Sequence, residues 1–303
     1  MVALALVGAS AWASVTAKTA AKHPRPSAAH PCGVRLRPPR VYAHIVWIVM
    51  ENRPYGDVIG SPDARYENRL AARCGVGARY FGITHPSLPN YIAATSGRTY
   101  GIGDDDPPST HPLGGANLFS QIRAAGKTWR AYEEGAPGNC SKESSGTYVP
   151  HHNPPTYYTT IRADCARWDV PLGSLNGGNL ARALSSGSLP AFALVTPDMC
   201  HDTHDCSVSD GDRWLAKWFP RIVNSRPYRA GTTAVFLLWD EDDEGHDNHI
   251  PFIVAAPSVR GGTVVSARLN HYSLLRTTER MLGLGRALGN AAAARSMRGP
   301  FHL

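Results

Sequence analysis

Four almost continuous apolar runs constrain what this chain can become: His44-Ile-Val-Trp-Ile-Val-Met50, Ala191-Phe-Ala-Leu-Val-Thr196, Thr233-Ala-Val-Phe-Leu-Leu-Trp239 and Phe252-Ile-Val-Ala-Ala256. A strand with one wet face alternates apolar and polar residues. These runs do not, which is the mark of strands covered on both faces in a parallel sheet. Amphipathic stretches at helical spacing lie among them, over 117–125, 212–224 and 272–282. Alternating strand and helix patterns predict an α/β fold, a doubly wound, mostly parallel sheet flanked by helices. The 303 residues suffice for one large domain of this kind, and no internal repeat divides them.

In such a sheet, ligands bind beyond the carboxyl ends of the strands. Glu51-Asn52 follows the first run, and His85-Pro86-Ser87 follows a strand-like segment over 80–84. Asp198 to Asp205 follows Thr196, and Asp240-Glu-Asp-Asp-Glu244 follows Trp239. All four polar clusters are therefore expected at one edge of the sheet. Six of the chain's 24 acids fall between Asp240 and Asp247, a density that costs free energy unless solvent or a cation compensates it. Glu51, Asn52, Asp240 and Glu241 offer oxygen ligands for a hard cation. Taken singly, Glu51-Asn52 fits a helix cap equally well, and the acidic run fits a solvated turn.

Ser87-Leu-Pro-Asn-Tyr91 opens a helical stretch, with Pro89 suited to an early helical position. A serine there fits an N-cap, and it also fits a nucleophile, because amide groups and the helix dipole at that end favour an anionic phosphate. A metal beside the hydroxyl would lower its pKa. His151-His152 and His201-Asp-Thr-His204 add imidazoles on loops. H-E-x-x-H, G-x-S-x-G, Walker and dinucleotide-binding motifs are missing, which disfavours zincins, lipases and nucleotide-binding folds.

The net charge of +7 belongs to one end of the chain. Lys18, Lys22, Arg25, Arg35, Arg37 and Arg40 precede the first acid, Glu51, leaving 25 bases against 24 acids in the rest. A body this near neutrality does not point to nucleic acid, and the basic segment suits at most peripheral contact with a membrane or cell wall. Residues 1–13 carry an apolar run ending in Ala11-Trp-Ala13, the pattern of a signal peptide, and 14–40 reads as a flexible basic linker. Six cysteines without C-x-x-C pairs read as three disulfides in an exported protein. Cys200 and Cys206, enclosing a tight loop, are the leading pair; Cys32 with Cys74 and Cys140 with Cys165 follow by proximity.

Met50-Glu-Asn-Arg53, Thr84-His-Pro-Ser-Leu-Pro-Asn-Tyr91, His152-Asn-Pro154, Asp202-Thr-His-Asp205, Gly211-Asp-Arg-Trp-Leu215, Trp239-Asp-Glu-Asp-Asp243 and His271-Tyr-Ser-Leu-Leu275 occur in that order. Together, from about Ala43 to Leu284, they resemble the bacterial phosphoesterase family of acid phosphatases and phospholipases C, within the alkaline phosphatase superfamily. The likeness is greatest to its compact exported acid phosphatases of the mycobacterial type. It implies an alkaline-phosphatase-like single domain over 41–303 that hydrolyses phosphate monoesters, phosphoinositides included. By the same resemblance Ser87 forms a phosphoserine intermediate, Asn90 holds a nonbridging phosphate oxygen, and His152 and His204 contact phosphate or donate a proton. Glu51, Asn52, Asp240 and Glu241 bind metal, and Asp202 joins them or orients His204. So oxygen-rich a set suits one hard cation, Ca²⁺, Mg²⁺ or Mn²⁺, better than Zn²⁺. His249 is left outside the set. The expected substrate is a small phosphomonoester or a phospholipid headgroup. Two alternatives are a phospholipase C-type phosphodiesterase and a non-catalytic protein that binds phosphorylated ligands.

Overall fold

The computed structural model describes residues 1–4, 25–35 and 37–303. The expectations that fall on 5–24, most of the signal peptide and the first part of the linker, lie outside the described residues. Among those described, no helix is long and apolar enough to cross a membrane.

Among the described residues there are eleven strands: β1 (His44–Met50), β2 (Gly75–Gly77), β3 (Tyr80–Phe81), β4 (Trp129–Glu133), β5 (Asp169–Pro171), β6 (Phe192–Thr196), β7 (Thr233–Trp239), β8 (His249–Ile250), β9 (Phe252–Ala255), β10 (Thr263–Val265) and β11 (Leu269–Asn270). Eight make one sheet in the order β10-β2-β9-β7-β1-β6-β4-β5. β1, β6 and β7 are buried along almost their whole length, as their unbroken apolar sequences require. Helices flank the sheet in two packed groups. Arg65–Arg73, Asn179–Ser186 and Val208–Asn224 form one; Ser87–Ser96, Leu118–Ala124 and His271–Leu282 form the other.

The expected mostly parallel sheet is present, with two departures. β9 runs antiparallel to both its neighbours, β7 and β2. A strand buried on both faces reads the same in either direction, so its apolar run carried no sign of this. The segment over 80–84 contributes only two residues of strand, and these join β8 and β11 in a separate three-stranded sheet. Ser87 therefore enters the sheet edge from the side, beyond this small sheet, instead of from the end of a central strand.

Under the sheet, Trp47 meets Phe192 edge to face with ring centroids 4.9 Å apart, and its indole N–H donates to Thr278 Oγ1 at 3.0 Å. A buried indole with its one donor engaged adds apolar burial without a desolvation cost. The three expected disulfides are all formed: Cys32–Cys74, Cys140–Cys165 and Cys200–Cys206. Within the stretch expected as a linker, Cys32 and Val34 are buried, and the Val34 and Arg35 amides donate to Pro257 O. That part is fastened to the body.

Candidate active site

β1 and β7 lie side by side in parallel register, Met50 opposite Trp239. The next residue of each, Glu51 and Asp240, therefore leaves the sheet at the same level, and the Asp240 amide donates back to Met50 O at 3.0 Å. Asn52 takes a left-handed backbone conformation (φ 48°), which asparagine tolerates better than most residues, and its amide lies 3.4 Å from Asp240 Oδ1. The loop after β6 closes the third side, where the Glu51 amide donates to Asp202 O at 2.8 Å. Three strand ends converge as the sequence predicted.

Ser87 arrives on a turn held by Asn90. Asn90 Oδ1 accepts from the Ile83 and Thr84 amides, while its Nδ2 donates to Thr84 O at 2.7 Å and to Glu241 Oε2 at 3.0 Å. Both hydrogens of that amide are thereby engaged with protein. Ser87 is the first residue of its helix; Pro86 is the N-cap, and Asp105 Oδ1 accepts from the Leu88 amide of the first turn at 2.8 Å. The capping explanation for Ser87 falls away. Its buried Oγ instead lies 3.0 Å from Glu51 Oε2, 3.1 Å from Glu241 Oε1 and 3.5 Å from Asn52 Oδ1.

One hydroxyl hydrogen cannot satisfy three oxygens, and this mismatch tests whether a cation fits. Glu51, Asp202, Asp240 and Glu241 are all buried, and the basic side chains that contact Glu51, Asp202 and Glu241 are histidines, not Lys or Arg. Asp240 Oδ2 has no hydrogen-bond partner among the described residues. Burial and then the neighbouring carboxylates Asp240 and Asp202 push Glu51 well above the usual range; burial likewise raises Asp202, Asp240 and Glu241, with Asp240 adding to the rise of Glu241. Acids so crowded in a low-dielectric setting are stable as carboxylates only beside positive charge. An all-oxygen donor set with one acid oxygen unengaged fits a hard divalent cation held by Glu51, Asn52, Asp240 and Glu241.

The rest of the acidic run is different. Asp242 turns into its own loop, Oδ1 accepting from the Glu244 amide and Oδ2 from those of His246 and Asn248. Asp243 pairs with His246 Nδ1 at 2.7 Å. The density of six acids is thus relieved largely by backbone amides and histidine, and only Asp240 and Glu241 turn toward Ser87.

His152 is fully buried with Nε2 3.4 Å from Glu51 Oε1 and Nδ1 3.4 Å from Asp202 Oδ2; burial, then His204, lowers it to about 3. His204 stands 6.2 Å away, ring to ring, with one third of its side chain exposed. Asp202 orients the backbone of His204, accepting its amide at 2.8 Å, whereas the ring is paired with Asp205 at 2.8 Å. His249 is engaged elsewhere, stacked between Tyr55 and Phe81.

Four residues of the site were not singled out from sequence. The Tyr91 hydroxyl donates to Glu51 Oε1, and its ring stacks on His152 at 5.3 Å. Arg53 donates to Thr203 O and Cys206 O, tying the Cys200–Cys206 loop to the end of β1. His271 links the Tyr80 hydroxyl to the Asp240 carbonyl. His85 contacts Glu241 and Asp242. All four stand inside the motif runs, so a signal was present; their partners were not.

A phosphatidylinositol-3-phosphatase of Mycobacterium tuberculosis is 32% identical over 246 residues, covering 80% of this chain and 78% of that protein. An acid phosphatase of Aspergillus fumigatus is 27% identical over 252 residues, covering 79% of this chain; the chain spans 54% of that longer relative. A solved structure of a protein in the alkaline phosphatase superfamily from Vibrio parahaemolyticus superposes with a TM-score of 0.61 at 15% identity, over 90% of this chain and 71% of that one, a likeness of fold. The family model described as Phosphoesterase family matches residues 61–285, a stretch that holds Ser87, Asn90, His152, Asp202, His204, Asp240 and Glu241 and begins after Glu51 and Asn52. With most of its length under that match, the chain belongs to the Phosphoesterase family.

Proposed function

We propose that this protein is an exported, metal-assisted phosphomonoesterase that works through a phosphoserine on Ser87. The observation that carries the reading is the Ser87 hydroxyl, buried at a helix start and surrounded by oxygens of Glu51, Asn52 and Glu241. The names of its relatives, a phosphatidylinositol-3-phosphatase and an acid phosphatase, support a monoester substrate, a small phosphate ester or a phosphoinositide headgroup. Three disulfides support export, since such bonds persist in oxidising compartments.

A hard cation held by Glu51, Asn52, Asp240 and Glu241 would lower the pKa of the adjacent hydroxyl and offset phosphate charge. The chain's own residues do the rest. Glu51 Oε2 and Glu241 Oε1 both lie within hydrogen-bond reach of Ser87 Oγ, and one of the two carboxylates takes its proton as the oxygen attacks. Ser87 Oγ attacks phosphorus; the Oγ–P bond forms and the ester P–O bond breaks. The first turn of the Ser87 helix favours the phosphate's negative charge. Asn90 holds the turn that presents Ser87. His204, one third exposed and paired with Asp205, supplies the proton that the leaving alkoxide takes, and water then hydrolyses the phosphoserine. His152, buried behind it, fixes Glu51 and Asp202 relative to one another.

Rapid acid quench with a ³²P-labelled monoester followed by peptide mapping tests the reading, with label expected on Ser87. Ser87→Ala is expected to lower turnover by about a thousandfold or more while the protein stays folded. Label on another residue, or turnover kept in Ser87→Ala, would overturn it. Assays of p-nitrophenyl phosphate, a phosphoinositide and phosphatidylcholine side by side separate monoesterase from phospholipase C, with diacylglycerol as the product that would favour the latter.

A further inference from the structure

We propose that His85 is the positioning residue for Glu241, holding one oxygen of that carboxylate so that the other faces Ser87. The inference rests on the reading of Glu241 as a cation ligand. Glu241 divides its oxygens: Oε1 lies 3.1 Å from Ser87 Oγ, while Oε2 lies 3.0 Å from Asn90 Nδ2 and 2.9 Å from His85 Nδ1. A glutamate side chain has three torsions and would otherwise sample several orientations, so two nitrogen contacts on one oxygen select one of them.

The ring can do this because it is itself held. His85 Nε2 lies 3.3 Å from Asp242 Oδ1, so each ring nitrogen stands close to a carboxylate oxygen. Its backbone belongs to the turn clamped on both sides, by Asn90 at Thr84 and Pro86 and by Asn248, whose Nδ2 donates to Thr84 O at 3.0 Å. Asp242 in turn is locked by three backbone amides of its loop. His85 thus adds a side-chain link between the Ser87 turn and the loop after β7, beyond the point where their flanking strands β3 and β8 pair. Partners of metal ligands act in this way, by fixing orientation, and their removal costs about 10- to 100-fold in metal affinity.

The two ring nitrogens give the test two arms. Manganese binding to chelator-stripped protein is measured by calorimetry for wild type, His85→Ala, His85→Asn and His85→Gln, with melting temperature as the check on folding. His85→Ala is expected to raise the Mn²⁺ Kd by about 10- to 100-fold. His85→Asn, whose amide nitrogen reaches the place of Nδ1 on Glu241, is expected to keep affinity near wild type. His85→Gln, reaching toward Asp242 in place of Nε2, is expected to bind as weakly as alanine. With p-nitrophenyl phosphate, His85→Ala is expected to lose kcat at limiting Mn²⁺ and regain it at saturation with KM little changed. Wild-type affinity in His85→Ala, a rise in KM alone, or equal behaviour of the Asn and Gln variants would overturn the proposal. If His85→Ala fails to fold, the Asn against Gln contrast decides it. Wild-type protein that binds no Mn²⁺ would overturn the cation reading itself, a different result from any of these.

Discussion

The Tyr91 hydroxyl is among the few groups that donate to a carboxylate in the site, and it donates to Glu51. Tyr91→Phe keeps the ring on His152 but leaves Glu51 Oε1 with only the 3.4 Å contact to His152 Nε2. A buried acceptor stripped of its donor costs about 1–3 kcal/mol, and thermal unfolding is expected to show that loss. The looser Glu51 is also expected to lower kcat about tenfold or more, measured with a monoester at saturating cation. Cation removal acts on the same carboxylates. Stripping by a chelator is expected to abolish turnover and lower the melting temperature, because the folded state alone holds the converged oxygens. Mn²⁺, Mg²⁺ or Ca²⁺ is expected to restore both more completely than a soft metal such as Cd²⁺.

Between elements, the helices Arg65–Arg73 and Val208–Asn224 meet around a second buried acid. Asp212 on the longer helix caps the shorter one, its Oδ1 accepting from the Tyr66 and Glu67 amides at 2.6 and 2.9 Å. Glu67 itself is fully buried, and neither carboxylate oxygen has a hydrogen-bond partner. Burial, and then the Asp212 charge, push its carboxyl well above the ordinary value of 4.5. The sign follows from the direction of that shift: the folded state holds the proton more tightly than the unfolded one. Stability is therefore fullest below the unfolded value of 4.5 and declines as pH rises toward the folded one. Glu67→Met removes the titration and keeps the volume. It is expected to gain about 1–3 kcal/mol near neutral pH, with the advantage shrinking as pH falls toward the unfolded value of 4.5 and levelling off below it, checked by denaturant melts across pH. Parity at every pH would refute the assignment. Helix periodicity marks Glu67 only as polar; its burial follows from where the second helix lies.

At the scale of the whole molecule, two disulfides do different work. Cys32–Cys74 closes a separation of 42 residues and fastens the N-terminal segment to the end of the Arg65–Arg73 helix. Replacing both by Ser is expected to cost about 2–4 kcal/mol with kcat unchanged. Cys200–Cys206 closes only 6 residues but holds the loop that carries Asp202 and His204, which Arg53 also grips. Its double-Ser variant is expected to lose less stability and more turnover, and paired melts and kinetics separate the two effects. The sequence by itself determined the class of fold, because an unbroken apolar run is a local property that already requires a strand with two covered faces. It also determined that Glu51-Asn52, the loop of Asp202 and His204, and Asp240-Glu241 follow three of those runs, and so lie near one edge. It could not determine the antiparallel β9, the side entry of Ser87, or the way Asp242 folds into its own loop. Nor could it join Ser87 to Glu241, 154 residues apart, or His85 to that same carboxylate. Strand direction, register and the partner of each carboxylate are set by contacts between distant segments, and only the packed tertiary structure brings those segments within hydrogen-bond reach.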